Sequence, residues 1–143
     1  MKFLILFFLT ITTIFANSSK EILLLHSYNN GLKWTDGITQ GIKEILDKYP
    51  EFELTIEYMD SKKIDSQEYF DILMNLYEKK FSNRKYSVVI AADNYAYEFV
   101  LKNHKKLFDE SSVVFTGVEN FDKDFIPLEL KKYVTGVVEY KEI

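Results

Sequence analysis

The sequence predicts an α/β protein, a three-layer α/β/α sandwich built on a mostly parallel, five-stranded sheet. Short apolar or β-branched runs alternate with longer segments in which apolar residues recur at helical spacing. Successive strands begin roughly 20–35 residues apart, which suits helical crossovers between parallel neighbours. With 143 residues, no cysteine and no internal repeat, we expect a single domain without disulfides.

The first half of the chain predicts two strands and two helices. Glu21–His26 is a continuous apolar run, as in a buried strand, and Trp34–Tyr49 carries an apolar helical stripe that ends at Pro50. Phe52–Met59 alternates apolar and polar residues, which predicts an edge strand with one face in solvent. The second helix is expected to end near Phe81.

The second half continues the same alternation. Asp65, with Glu68 three residues later, resembles a capping box at the start of the second helix. Ser87–Ala92 is a short β-branched run typical of a central strand, and Asn94–Leu107 predicts a third helix. Two further strands are expected at Ser112–Thr116 and Thr135–Glu139, with a turn and a short helix between them.

The first sixteen residues resemble a secretory signal peptide. Lys2 precedes an apolar run, and the small residue Ala16 stands before a polar segment. We therefore expect residues 1–16 to direct export to the periplasm and residues 17–143 to form one α/β lobe. Ile14 is large for its place near the cleavage point, so an uncleaved membrane anchor is the alternative.

Several classes of function are disfavoured. Acidic residues exceed Lys plus Arg by 22 − 18 = 4, so nucleic acid is not expected as a partner. No metal site is expected, because His26 should be hydrogen-bonded at a strand end and His104 should be solvated on a charged helix face. The glycines Gly31 and Gly37 lack phosphate-loop spacing, and no GxSxG motif is present, so neither a cofactor nor an enzyme is expected.

Small-solute binding fits the polar loops better. In parallel sheets ligands bind beyond the carboxyl ends of the strands, which here precede the loops His26–Trp34, Asp60–Ile64, Asp93–Tyr95 and Thr116–Asn120. Aromatic side chains can form the walls of such a site while polar groups orient the solute. The expected ligand-binding residues are Ser27, Tyr28, Trp34, Asp93, Asn94, Thr116, Glu119 and Asn120.

The same residues allow a purely structural interpretation, which the pattern alone leaves open. Trp34 shares the apolar stripe of the first helix, so it is equally suited to packing the loop on the sheet. Asp93 or Asn94 is a natural N-cap for the third helix and needs no ligand to explain it.

Four segments in order resemble a known family. They are ILLLHSYNNGLKWTDGITQGI at 22–42, VVIAADNYAYEFVL at 88–101, VVFTGVENF at 113–121 and VTGVVE at 134–139. The chain resembles the N-terminal lobe of type I periplasmic binding proteins. More narrowly, it is similar to ABC-transporter substrate-binding-like domains that serve as sensor regions of histidine kinases and diguanylate cyclases.

The resemblance implies an extracytoplasmic lobe that binds a small organic solute in transport or signal transduction. It also implies a second lobe, which in the family closes over the solute. The sequence ends at Ile143, where the family's chain would cross toward that lobe, so we expect a truncated receptor. Its second lobe, permease or membrane sensor module would lie outside this chain. The alternative is a protein-interaction module with no small-molecule ligand.

Overall fold

The computed structural model describes residues 20–139, so the expected signal peptide lies outside the described residues. Five parallel strands form one sheet in the order β2-β1-β3-β4-β5, and three helices pack on it, which confirms the predicted fold class. The strands are β1 (Lys20–His26), β2 (Phe52–Tyr58), β3 (Tyr86–Ala92), β4 (Ser112–Val118) and β5 (Val134–Val138). The helices are α1 (Lys33–Leu46), α2 (Gln67–Phe81) and α3 (Asp93–Leu107).

The core lies between the sheet and the pair α2 and α3. Alternate residues of a strand face opposite sides, so Leu23 and Leu25 of β1 point into this core and are fully buried. Burying a leucine side chain contributes roughly 1.5–3 kcal/mol of transfer free energy. Tyr77 of α2 and Val100 of α3 pack in the same cluster. This core holds the strands in place, and with them the carboxyl ends from which the loops emerge.

Helix α1 covers the opposite face, and the structure bears out only part of its predicted apolar stripe. Its one fully buried side chain is Thr35, whereas Trp34 is 48% exposed and Ile45 is 58% exposed. The hydroxyl of Thr39 lies 2.8 Å from Nε2 of His26, so the helix meets β1 through threonines. Of the predicted apolar stripe, Ile38, Ile42 and Leu46 are half-buried, whereas Trp34, Ile45 and Tyr49 are exposed.

The predicted capping residues of two helices are wrong. The side chain that caps α2 is Ser66, whose hydroxyl accepts from the backbone N–H of Tyr69, and not Asp65. Helix α3 follows Ala92, and neither Asp93 nor Asn94 caps it. The side chain that caps α3 comes from a distant part of the chain.

That side chain is Ser27, at the end of β1. Its hydroxyl donates to the backbone oxygen of Ala92 at 2.7 Å and accepts from the N–H of Ala96 at 2.8 Å. Its backbone oxygen accepts from the N–H of Ser61 at 2.9 Å, beyond the end of β2. One buried serine therefore joins the ends of three strands and caps α3.

The two histidines are both structural. His26 is buried, stacks on Tyr58 and makes the predicted hydrogen bond, here to Thr39. Burial lowers the pKa of His26 to about 4, so the ring is neutral at pH 7. His104 was expected in solvent and is instead buried, with Nε2 at 2.9 Å from the backbone oxygen of Ser111. A ring can bury itself within a charged helix face when a carbonyl satisfies its N–H.

Replacing Ser27 should loosen the sheet edge. We expect Ser27→Ala to lower the free energy of unfolding by about 1–3 kcal/mol, because the buried N–H of Ala96 loses its acceptor. Urea denaturation measures this, with Ser87→Ala as the control because Ser87 is exposed on β3. Equal midpoints for the two variants would contradict the joining role of Ser27.

Candidate functional site

The candidate site lies where the strand order reverses. The chain passes from β1 to β2 on one side and later to β3 on the other, so the crevice between β1 and β3 is the switch point of the sheet. A cavity of about 380 Å³ opens there. It is lined by Tyr28, Leu32, Lys33, Trp34, Lys62, Asp93, Glu119 and Glu139.

Every strand of the sheet contributes to this cavity. The residues that follow the five strands are Tyr28, Lys62, Asp93, Glu119 and Glu139, in chain order. Parallel strands end at one edge of a sheet, so loops far apart in sequence meet there. The fold thereby gathers two aromatic walls, three carboxylates and two ammonium groups around one space.

The centre of the site is a hydrogen bond between Trp34 and Asp93. The indole Nε1–H donates to Oδ1 of Asp93 at 2.8 Å. Asp93 is only 6% exposed, and its φ of +70° is in the left-handed region that side chains other than Gly, Asn and Asp seldom adopt. The second carboxylate oxygen, Oδ2, is buried and has no hydrogen-bond partner within residues 20–139.

Gly117 makes room for this pair. A Cβ atom at this position would lie 3.0 Å from Oδ1 of Asp93 and 3.1 Å from a ring carbon of Trp34. Gly117 has a φ of +69° and is an extra residue in the pairing of β4 with β5, so it forms a local bulge. Only a residue without a side chain fits this conformation and this close approach.

The electrostatics of the cavity disfavour the charged form of Asp93. Its pKa is raised to about 6, mainly by burial and to a smaller extent by the charges of Glu139 and Glu119, while the hydrogen bond from Trp34 acts in the opposite direction. The pKa of Tyr28 is also raised, first by burial and then by neighbours that include Asp93 and Glu119. Both shifts indicate a space in which negative charge is poorly compensated.

One cation of the protein lies against an aromatic wall. Nζ of Lys62 lies 5.7 Å from the centre of the Tyr28 ring, within the range of a cation–π interaction. Lys62 belongs to the loop after β2, so this contact joins the loops that follow β1 and β2.

The structure brings four of the eight predicted residues together. Tyr28, Trp34, Asp93 and Glu119 line the cavity. Ser27 does not, because it is fully buried and its hydroxyl both donates and accepts within the protein. The ligand contacts themselves stay predictions.

The other three predicted residues lie beside the cavity. The side chain of Asn94 exchanges two hydrogen bonds of 3.0 Å with the backbone of Glu119, and so fixes the loop after β4. Thr116 lies within β4, between Ala92 and Val137. Asn120 is exposed and borders a neighbouring depression with Asn94.

Sequence reasoning missed several contributors. Lys62 lies in one of the predicted loops, but a lysine in a polar loop normally indicates solvation and gives no signal of a site. Glu139 was read as the last residue of a strand. Gly117 could have been found, because a glycine at the end of a β-branched run is typical of a bulge or a close approach. The remaining missed residues are Leu32 and Lys33.

A second cavity of about 380 Å³ lies between α2 and α3. Its walls include Phe70, Met74 and Phe99, and all its charged lining residues are exposed. The cavity at the switch point, by contrast, is lined by a buried charged residue, Asp93. The cavity at the switch point is therefore the better candidate.

In the described part of the chain, no group of three or more His, Asp or Glu side chains is arranged to hold a metal ion. None of the helices between residues 20 and 139 is long and apolar enough to cross a membrane. No protein-family model matches the chain, and no match was found among curated proteins or solved structures.

The protonation of Asp93 should be visible at Trp34, the only tryptophan of the chain. We expect the indole N–H resonance in a ¹H–¹⁵N spectrum to shift with a midpoint near pH 6, because protonation weakens the acceptor. Asp93→Asn should abolish the transition while keeping an acceptor for the indole. A flat titration, or one that survives in Asp93→Asn, would contradict the assignment.

Asp93 should also reduce stability at neutral pH. Its folded pKa of about 6 lies above the ordinary value of 3.8, so the folded state holds the proton more tightly and loses stability as the pH rises through this window. The loss is on the order of 3 kcal/mol at most. We expect Asp93→Asn to unfold at higher urea concentration than the wild type at pH 7, but not at pH 4. A destabilised variant at pH 7 would show that the charge supports the fold.

Adding a methyl group at Gly117 should disturb the central pair. We expect Gly117→Ala to lower the free energy of unfolding by about 1–3 kcal/mol and to shift the indole resonance, because the new Cβ meets both side chains. Gly41→Ala is the control, since a Cβ there, on α1, has open space around it. It should be neutral or slightly stabilising. If the indole resonance of Trp34 were unchanged in Gly117→Ala, the close approach of Gly117 to Trp34 and Asp93 would be refuted.

Proposed function

We propose that this chain is a solute-binding or ligand-sensing lobe of an extracytoplasmic receptor. It resembles the lobes of ABC-transporter substrate-binding proteins and of the periplasmic sensor domains of histidine kinases or diguanylate cyclases. The observation that carries the proposal is the meeting of one residue from each strand end around a single cavity. Export to the periplasm follows from the pattern of the first sixteen residues.

Asp93 supports a binding role because its position in the fold lowers the stability of the protein. It combines a strained backbone, burial and an oxygen without a hydrogen-bond partner in the described chain. Natural proteins keep such features mainly where function requires them. A solute that donates a hydrogen bond to Oδ2 would remove the penalty.

The cavity is also suited to recognition by its mixed lining. Tyr28 and Trp34 offer apolar walls, while the carboxylates and lysines offer oriented polar contacts. The half-exposed Trp34 leaves one side of the space open. We expect weak affinity for one lobe alone, and a second lobe, permease or sensor module as the partner that covers the open side.

A second candidate is a protein-interaction module without a small-molecule ligand. It is favoured by large apolar side chains that are exposed on α1 and on the edge strand β5. Val137 of the edge strand β5 is 69% exposed, and Ile45 of α1 is 58% exposed. Exposed apolar patches often mark interaction surfaces.

Thermal-shift measurements with metabolite pools test the solute-binding proposal. We expect at least one pool to raise the melting temperature of the wild type, since a solute at 100 times its Kd stabilises a protein by about 2.7 kcal/mol. Tyr28→Ala should lose this shift, because Tyr28 forms a wall of the cavity. Tyr49→Ala, which removes a half-exposed tyrosine outside the cavity, should keep it.

The result also separates the two candidates. No stabilisation by any pool, or a shift that survives in Tyr28→Ala, would refute solute binding in this cavity. Loss of a protein partner in Val137→Arg, with all pools silent, would favour the interaction module.

A further inference from the structure

We propose that the cavity takes an organic cation, such as a protonated amine, held between the Asp93 carboxylate and the Tyr28 ring. This inference rests on the proposed solute-binding function and names the class of solute. It draws on three observations: a buried acceptor, the balance of charge in the lining, and an aromatic face that already meets a cation.

The buried acceptor is Oδ2 of Asp93. The residue is 94% buried, borders the cavity, and its Oδ1 is occupied by the indole N–H of Trp34. Oδ2 accepts no hydrogen bond from any described residue. A buried carboxylate oxygen is stabilised by a hydrogen-bond donor, and a charged donor forms the strongest hydrogen bond. An ammonium group supplies both the hydrogen and the charge.

The balance of charge favours a cation over an anion. Asp93, Glu119 and Glu139 line the cavity, and the charges of both glutamates act on Asp93. The lining lysines are Lys33 and Lys62, so the formal charge is 2 − 3 = −1. An entering cation would offset the repulsion that Glu119 and Glu139 exert on Asp93, whereas an entering anion would add to it.

The aromatic wall is already used by a cation of the protein. Nζ of Lys62 lies over the Tyr28 ring at 5.7 Å, and Lys62 is an exposed side chain on a loop. Ring faces attract cations through their quadrupole. A ligand cation can take the place of the lysine at the same face and also reach Asp93, whose Oδ2 accepts no hydrogen bond from Lys62.

The strongest opposing idea is an anionic solute held by Lys33, Lys62 and the start of α1. The first turn of α1 carries Asp36, whose Oδ1 accepts from the N–H of Gly31 at 2.9 Å. A carboxylate therefore already occupies the position from which an anion would approach this loop. The two ideas predict opposite effects when Lys62 is removed.

Three probes of similar shape and different charge distinguish the classes. They are cyclohexylmethylammonium, cyclohexylmethanol and cyclohexanecarboxylate. Binding is followed at pH 7.5 by the fluorescence and indole resonance of Trp34, which reports directly on the cavity wall. We expect the ammonium compound to bind more tightly than the alcohol, and the carboxylate to bind most weakly.

Two variants test the roles of the charges. Asp93→Asn keeps an acceptor for Trp34 and a residue that tolerates positive φ, and should weaken the ammonium probe about tenfold or more. Lys62→Ala should leave its affinity equal or higher, because a competing cation is removed. Glu98→Gln, an exposed acid of α3 outside the cavity, is the control and should change nothing.

Affinity for the ammonium probe should also fall as the pH drops below about 6, where Asp93 takes up a proton. The groups that face Asp93 in the cavity are Tyr28, Lys33, Trp34, Lys62, Glu119 and Glu139. Of these, Glu119 and Glu139 carry negative charge and therefore attract the ammonium probe, as Asp93 does. The pH dependence should be lost in Asp93→Asn.

Each outcome decides the matter. Tighter binding of the alcohol or the carboxylate, or weaker binding of the ammonium probe in Lys62→Ala, would overturn the cation inference while leaving solute binding intact. If none of the three probes moves the Trp34 signals, the inference is also overturned. The metabolite-pool experiment then judges the proposed function separately.

Discussion

The hydrogen bond from the Trp34 indole to the Asp93 carboxylate is the contact on which the candidate site depends. It joins the start of α1 to the end of β3, on the two sides of the switch point. The bond needs the bulge at Gly117, because any side chain there would meet both partners. Below it, Ser27 ties the same strand ends together through buried hydrogen bonds. The cavity thus lies above a set of buried hydrogen bonds, and Trp34 on its wall remains half-exposed.

This arrangement lowers the stability of the folded protein at the position where binding is proposed. The backbone of Asp93 is in the left-handed region, and its pKa is raised first by burial and then by repulsion from Glu139 and Glu119. The surrounding sheet is well packed, with Leu23 and Leu25 of β1 fully buried. A stable core can hold a strained and poorly compensated carboxylate in place, and such a carboxylate is prepared for a partner of opposite charge.

Much of the fold could be predicted because it depends on hydrophobic periodicity. The buried run of β1, the alternation of β2 and the spacing of strands define a parallel sheet whose loops meet at one edge. The exposure of Trp34 and Ile45 and the contact of Thr39 with His26 could not be predicted, because helical periodicity does not show how a helix lies on its sheet. The cap of α3 comes from Ser27, 69 residues from its partner Ala96, and local sequence patterns carry no signal of such a contact.

The site followed the same division. Tyr28, Trp34, Asp93 and Glu119 were predictable from their place after strands, and they do meet in the cavity. Asn94 belongs to the same loops but serves the backbone of Glu119, a distinction that only geometry makes. Lys62 and Glu139 also line the cavity because β2 and β5 end at the same edge as β1, but their own sequence context is that of ordinary surface residues.

The most direct measurement is a ¹H–¹⁵N spectrum of the protein during addition of metabolite fractions that raise its melting temperature. We expect an active fraction to shift the Trp34 indole resonance in a saturable manner, together with the amide resonances of Tyr28 and Asp93. The account would be contradicted if the active fractions shifted residues of the groove between α2 and α3, such as Met74 and Phe99, while the indole resonance stayed in place.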